Sequence, residues 1–195
     1  MKNILYVILL SGLSLALFSC AKKSDTSSTT TTTTELEGTW IASCYQSGSY
    51  YIVTTYSIAG TDLVKKVEYH SDSSCSTDYS MYEYTLGSLA MGDKATYSDG
   101  GRGYRFSHNV VSSKYTPQVE ANVSGKNSSS WCGYSDWALN TAKDITGKTC
   151  GSSTHSAAKT TIFGLYKLLG NNLKFGAFSS QTYPSSVNSL IYVRQ

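Results

Sequence analysis

Residues 50–70 read YYIVTTYSIAGTDLVKKVEYH. Aromatic and β-branched side chains fill both halves of this stretch, which favours extended strands. Between the halves, Gly60-Thr61-Asp62 supplies residue types that suit a turn. The stretch therefore predicts a β-hairpin with strands over 50–58 and 63–70.

The same strand pattern continues on both sides of this hairpin. In the first run, Trp40, Ala42 and Cys44 alternate and are expected on one face. Gly170-Asn171-Asn172 predicts a tight turn between two later strands. Strands are predicted at 40–44, 78–86, 94–97, 104–111, 161–169, 173–178 and 189–194. Many short antiparallel strands with closely spaced turns indicate a β-barrel or a β-sandwich.

Residues 112–158 break this pattern, because Ser, Gly, Asn and Lys dominate there. We expect a long loop with one short helix near 137–143.

The cysteines predict two disulfides. Setting Cys20 aside leaves an even number, which in an exported chain indicates disulfides. Three pairings are possible, and Cys44–Cys75 with Cys132–Cys150 is preferred because short loops close most easily. The second pair would staple the 112–158 loop. Zinc ligation is the alternative, but there is no C-x-x-C pair, and the histidines are isolated from one another in sequence (His70, His108 and His155).

The N-terminus predicts export. Lys2 precedes an apolar run over 4–18, which is shorter than the roughly 20 residues that a transmembrane helix needs. The run ends in Leu17-Phe18-Ser19-Cys20, which resembles a bacterial lipobox. The resemblance implies a signal peptide over 1–19 and lipidation of Cys20, which would anchor the protein in a membrane. Because Ala21 follows where a retention signal would have Asp, the resemblance favours the outer membrane, with either face open. A plain signal peptide is the alternative.

Residues 20–35 are predicted to form a lipidated, disordered tether. The segment contains Lys22, Lys23 and a run of Ser and Thr, but no large apolar side chain. Such a composition cannot offset the entropy cost of ordering. The folded domain is then expected over 36–195.

Both ends of that domain carry motifs of one fold. Leu36-Glu37-Gly38-Thr39-Trp40 opens the first strand, and Tyr192-Val193-Arg194 lies in the last. Together they resemble the calycins (lipocalins, fatty-acid-binding proteins and avidins). The resemblance implies an all-β, antiparallel up-and-down β-barrel of the lipocalin or fatty-acid-binding type. It also implies that Gly38, Trp40 and Arg194 close the barrel, with the arginine over the tryptophan ring.

Composition and motifs favour binding over catalysis. The net charge is only +3 and there is no basic stripe, so nucleic acid is not an expected partner. Trp131-Cys132-Gly133 lacks the second cysteine of a dithiol site, and Ser156-Ala157-Ala158-Lys159 lacks the companion motifs of serine enzymes. We therefore expect no enzymatic activity and no cofactor.

Two functions stay open at this point. The protein is expected to bind a small apolar or amphipathic ligand inside its barrel. Alternatively, it is an adhesion or structural protein with a solid barrel that acts through the 112–158 loop. Large side chains that all point inward would fill the lumen and exclude a ligand, for example Tyr56, Met81, Tyr84, Phe163 and Phe175.

Overall fold

A computed structural model describes residues 34–97 and 101–195. The predicted signal peptide, Cys20 and the tether as far as residue 33 lie outside the described residues. The strands are β1 (Gly38–Ser47), β2 (Tyr50–Ala59), β3 (Asp62–His70), β4 (Asp78–Thr96), β5 (Arg102–Pro117), β6 (Lys143–Asp144), β7 (Thr149–Cys150), β8 (Ser153–Thr154), β9 (Thr161–Leu169), β10 (Asn172–Phe175) and β11 (Tyr192–Arg194). One helix, α1 (Glu120–Ser128), and a short 3₁₀ turn (Trp131–Gly133) complete the described elements.

Eight of these strands form a closed antiparallel barrel. The barrel strands β1–β5 and β9–β11 pair in chain order, and β4 also pairs with β5. The circle closes where β1 meets β11, with Trp40 opposite Arg194. The expected all-β, up-and-down barrel is therefore confirmed. Closure leaves no free sheet edge around the barrel.

An insertion between β5 and β9, residues 118–160, contains α1, the 3₁₀ turn and three short strands. The expected loop start at residue 112 is wrong, because β5 continues to Pro117. The helix predicted at 137–143 is also wrong, since α1 forms earlier. The amide group of Asn127 brackets Trp137, accepting from its N–H at 2.6 Å and donating to its carbonyl at 3.0 Å. This contact holds the Trp137 backbone by tertiary hydrogen bonds rather than in a helix.

The separate strands predicted at 78–86 and 94–97 are one continuous strand, β4. Its register against β5 shifts between Thr85 and Leu86, between Gly87 and Ala90, and between Met91 and Lys94. These irregularities are β-bulges: the first has its extra residue in β5, whereas the second and third each have an extra residue in β4, which disturbs the alternation of β4 itself. The apolar alternation therefore breaks although the strand does not.

The barrel core consists of the inward faces of these strands. The buried cluster includes Trp40, Tyr56, Phe106, Tyr166 and Phe175. Gly164 lies opposite Phe106 on the neighbouring strand, and a Cβ at this position would overlap the Phe106 ring. The glycine therefore gives a large ring room to cross the lumen.

Both predicted disulfides are present in the structure: Cys44–Cys75 and Cys132–Cys150. Cys44 does not share the face of Trp40 and Ala42, however. A bulge between Ala42 and Tyr45 shifts the register, and Tyr45 packs against the core in its place. Within the described residues, no helix is both long and apolar enough to cross a bilayer.

Candidate ligand-binding cavity

Five residues form a contact cluster where β1 meets β11, and we call it the floor: Glu35, Leu36, Trp40, Tyr166 and Arg194. Trp40 is fully buried, and its indole N–H donates to the Leu36 carbonyl at 2.7 Å. The Arg194 guanidinium lies 4.4 Å from the centre of the Trp40 ring. This is the arrangement that the two end motifs predicted.

Glu35, which precedes β1, accepts hydrogen bonds from two other residues of the floor. The Arg194 guanidinium donates to the Glu35 carbonyl at 2.6 Å, and the Tyr166 hydroxyl donates to the Glu35 carboxylate at 2.6 Å. Gly38 then enters β1 with a φ of 112°. A side chain is strained at this φ, so the glycine of the opening motif has a backbone role. The floor is therefore held together by packing, hydrogen bonds and one cation–π contact.

The lumen above the floor contains a cavity of about 330 Å³, here called the lysine cavity. This volume is at the lower end of the range for small-molecule sites. The titratable side chains in its lining are Lys65, Tyr84, His108 and His155. Its apolar lining is Leu86, Val110, Ile162 and Phe178, and its hydroxyl lining is Ser113, Thr154, Ser156 and Ser180. The site is mixed, with apolar walls and a few polar groups.

A bulge in β5 shapes one wall of the lysine cavity. Thr85 pairs with Ser112, but the next residue of β4, Leu86, pairs with Val110. Val111 is the extra residue, and it is 53% exposed. Strict alternation would place Val110 and Ser113 on opposite faces, whereas the bulge allows both of them to line the cavity.

Lys65 brings a positive charge into the lumen. Its Nζ lies 5.6 Å from the centre of the Tyr84 ring and 5.7 Å from the centres of the Tyr56 and Phe178 rings. Among the described residues, no carboxylate forms an ion pair with Lys65. Burial lowers the pKa of Lys65, because it disfavours the charged amine and no opposite charge offsets it. Among the described residues, the amine of Lys65 therefore has aromatic faces beside it but no carboxylate.

His108 is a second polar group without a full set of partners. It is 2% exposed, and its Nδ1 has no hydrogen-bond partner within the described part of the chain. Burial, and to a lesser degree the charge on Lys65, lower the pKa of His108 to about 4. At neutral pH the ring is therefore uncharged. An unpartnered buried polar atom beside a cavity is a position where a ligand group can restore a hydrogen bond.

Phe178 separates the lysine cavity from a second cavity of about 320 Å³. It comes from the segment between β10 and β11, and its ring centre lies 5.8 Å from that of Phe106 and 5.6 Å from that of His108. Lys65 and Phe178 line both cavities. The second cavity is otherwise lined by Tyr56, Phe175, Gly176, Ala177, Asn188, Leu190 and Tyr192. Among the residues that the structure describes, no Asp or Glu lines either cavity.

The five large side chains that could fill the lumen together do not all point inward. Tyr56, Tyr84 and Phe175 belong to the core or pack against it. Met81 and Phe163, however, alternate with inward residues and lie on the outer face of the barrel. The Phe163 ring packs 4.8 Å from the Tyr183 ring, outside the lumen. Large rings thus fill part of the barrel interior, and two cavities remain beside them.

The insertion is organised around its own aromatic cluster. Tyr115, Trp137 and Ile145 are buried there beside the Cys132–Cys150 disulfide. Lys126 lies 3.2 Å from the centre of a Trp131 ring, and burial lowers its pKa to about 8. After β8 begins, residues 154–156 reach the rim of the lysine cavity. The insertion therefore contributes to the cavity as well as to the surface.

The three histidines do not all come together at one site, because His70 lies apart from the other two. Throughout 34–97 and 101–195, no group of three or more His, Cys, Asp or Glu side chains is arranged to hold a metal ion. His108 and His155 line the lysine cavity, whereas His70 lies at the end of β3, with its Nδ1 3.2 Å from an Asp78 oxygen.

Lys65 and His108 were not among the predicted site residues. The sequence did contain a signal for them. Alternation along a strand places Lys65 on the same face as Leu63, and His108 on the same face as Phe106 and Val110. No protein-family model matches the sequence, and no curated protein matches it. The site is therefore interpreted from its own geometry.

Proposed function

We propose that the protein is a lipid-anchored protein of the cell envelope that binds a small apolar or amphipathic molecule inside its barrel and does not transform it. The observation that carries the proposal is the lysine cavity. It combines apolar walls with an unpaired amine and an unpartnered imidazole nitrogen in the barrel lumen. Small-molecule sites commonly pair an apolar lining with a few convergent polar groups.

The proposed location rests on the N-terminal sequence. Leu17-Phe18-Ser19-Cys20 resembles a lipobox, and Ala21 favours the outer membrane. Acyl chains on Cys20 would provide a durable anchor, since each buried methylene contributes about 0.8 kcal/mol. Residues 21–33 would then space the barrel from the membrane.

Native mass spectrometry tests the binding proposal. The full-length protein, purified into nanodiscs made of one synthetic lipid, is expected to retain a small molecule other than that lipid, which dissociates on activation. Val110→Phe is the matched variant, because its larger ring fills the cavity with an apolar group. It is expected to fold and to lose most of the bound mass.

An unliganded mass for the wild-type protein that persists after decanoate and decanol are added would refute the proposal. Equal occupancy in the wild-type protein and the Val110→Phe variant would refute the assignment to this cavity.

A further inference from the structure

The part of the barrel wall formed by β9, β10 and β11 carries charge of one sign. From residue 145 to residue 195 the sequence contains no Asp or Glu, whereas it contains five basic residues, Lys148, Lys159, Lys167, Lys174 and Arg194. On the wall itself, Lys167 of β9 lies directly opposite Lys174 of β10. Like charges in directly opposite positions lower stability. Among the described residues, no carboxylate forms an ion pair with either lysine.

Both lysines point out of the barrel. Lys167 follows Tyr166, and Lys174 lies between Leu173 and Phe175, and these three neighbours are buried in the core. Because successive side chains of a strand point to opposite faces, the lysines lie on the outer face. The barrel therefore presents two adjacent positive charges to its surroundings, and the packing of the barrel itself does not explain them.

Large apolar side chains accompany the two lysines. Leu169, Ile191 and Val193 are 52%, 43% and 41% exposed, and each is next to a side chain that packs in the core. They therefore also lie on the outer face, on or beside the adjacent strands β9, β10 and β11. We call these three residues, together with Lys167 and Lys174, the basic–apolar face. Exposed apolar side chains combined with lysines are typical of surfaces that contact lipid headgroups.

The position where the chain enters the barrel favours a membrane as the partner. The Arg194 backbone N–H donates to the Asn171 carbonyl at 3.0 Å, and the Arg194 guanidinium donates to the Glu35 carbonyl at 2.6 Å. The first described residues therefore lie beside the turn that joins β9 and β10. Residues 21–33 would connect this end of the barrel to the proposed lipid on Cys20. An anchor at this end would keep the basic–apolar face close to the lipid headgroups.

We propose that the basic–apolar face docks on an anionic lipid surface, the one in which the protein is anchored. Lys167 and Lys174 bind lipid phosphates, and the three apolar side chains enter the headgroup region. The phosphates supply the negative charge that the described residues do not place beside these lysines. This inference rests on the proposed anchor but not on ligand binding, because the face lies outside the lumen.

Methyl NMR of the full-length protein in nanodiscs tests the inference. The discs contain either anionic phosphatidylglycerol or zwitterionic phosphatidylcholine, and a small fraction of the lipid carries gadolinium on its headgroup. Val111 is the internal control, because it is 53% exposed but lies on β5, outside the face. In anionic discs, the methyl signals of Leu169, Ile191 and Val193 are expected to broaden more than those of the control, by about threefold or more. In zwitterionic discs this difference should be largely lost.

Neutral variants test the role of the charges. Each lysine near an anionic surface strengthens binding about fivefold, so Lys167→Gln with Lys174→Gln should weaken docking by about 20- to 30-fold. In anionic discs, broadening in this variant should fall to the level seen in zwitterionic discs. Lys148→Gln with Lys159→Gln, in the insertion, removes the same amount of charge and is the matched control. This control variant should broaden as the wild-type protein does.

The outcomes separate docking from anchoring. Equal broadening of Leu169 and Val111 in anionic discs, or broadening that persists in the Lys167→Gln/Lys174→Gln variant, would overturn the docking face and leave the anchor in place. Signals of Leu169 that change with the number of protein copies per disc, but are not broadened by the gadolinium lipid, would assign the face to a second copy of this chain and overturn the membrane as its partner. A protein recovered outside the discs with an unmodified Cys20 would refute both the anchor and the docking.

Discussion

The floor and the lysine cavity lie in the same barrel, but they differ in whether their polar groups have partners among the described residues. In the floor, Trp40 has a hydrogen-bond partner for its indole N–H and a cation over its ring. In the lysine cavity, Lys65 has no carboxylate partner among the described residues, and the Nδ1 of His108 has no partner. The floor is therefore built for stability. The cavity contains polar groups that lack a charge or hydrogen-bond partner among the described residues. Such groups lower stability and are typical of binding sites.

The largest effect is expected from Trp40→Ala in the floor. Removing a fully buried indole leaves a large void and orphans the Leu36 carbonyl. We expect a loss of about 3–5 kcal/mol in the free energy of unfolding, measured by denaturant titration. Leu169→Ala, at a side chain that is 52% exposed, is the control and should change it by about 0.5 kcal/mol or less. A loss below about 1 kcal/mol for Trp40→Ala would show that the floor is not a main source of stability.

The next effect is a pH dependence from His108 in the cavity. Its pKa is about 4 in the folded protein, against an ordinary value of 6.5, so the unfolded chain binds the proton more readily. The free energy of unfolding is therefore not reduced by His108 above pH 6.5, and it decreases as the pH falls towards 4, because the unfolded chain then takes up the proton. The loss should reach about 3 kcal/mol.

His108→Phe isolates this contribution, because phenylalanine keeps an aromatic ring at this position but has no titratable group. Denaturant titrations at pH 7 and pH 4 should show that the wild-type protein loses about 3 kcal/mol more than the variant does. Parallel losses in the two proteins would mean that His108 titrates normally and is not held neutral by burial.

Arg194→Ala is expected to have a smaller effect on the floor. The change removes the cation above Trp40 and the hydrogen bond to the Glu35 carbonyl. Because Arg194 is largely exposed, we expect a loss of only about 1–2 kcal/mol in the free energy of unfolding. Arg194→Lys should recover part of this loss. An unchanged melting temperature for Arg194→Ala would show that the arginine does not stabilise the floor.

The smallest effect should also have the opposite sign. Lys65→Met replaces a poorly partnered cation with an apolar chain of similar length, so the free energy of unfolding should stay constant or rise by up to about 1 kcal/mol. Thermal unfolding at neutral pH measures this change, and Lys66→Met serves as the outward-facing comparison. A loss of more than about 1 kcal/mol would mean that Lys65 stabilises the barrel and that the contrast with the floor is wrong.

The sequence predicts the floor far better than the cavity. The floor depends on short local signals: Gly38 provides a backbone conformation that suits glycine, and Trp40 and Arg194 lie in paired terminal strands. The disulfide pairs were also predictable, because each closes a short loop. These features can be identified without knowing how distant strands align.

The lysine cavity depends on features that periodicity does not reveal. A bulge at Val111 places Val110 and Ser113 on the same face, and Phe178 enters from a segment without strand alternation. Strand parity could have grouped Lys65 with Leu63, but only the register of β3 against β4 shows that Lys65 lies opposite Tyr84. Which side chains face the lumen therefore depends on how the strands and the connecting segments pack in the tertiary structure.

The most direct test of a ligand site in the barrel is methyl NMR of the full-length protein in nanodiscs during titration with decanoate. Methyl signals of Leu86, Val110 and Ile162, in the cavity wall, are expected to shift in a saturable manner. Signals of Leu36 in the floor should not move. Shifts confined to the outer surface, or no saturable shift in any cavity methyl group, would contradict a ligand site in the barrel.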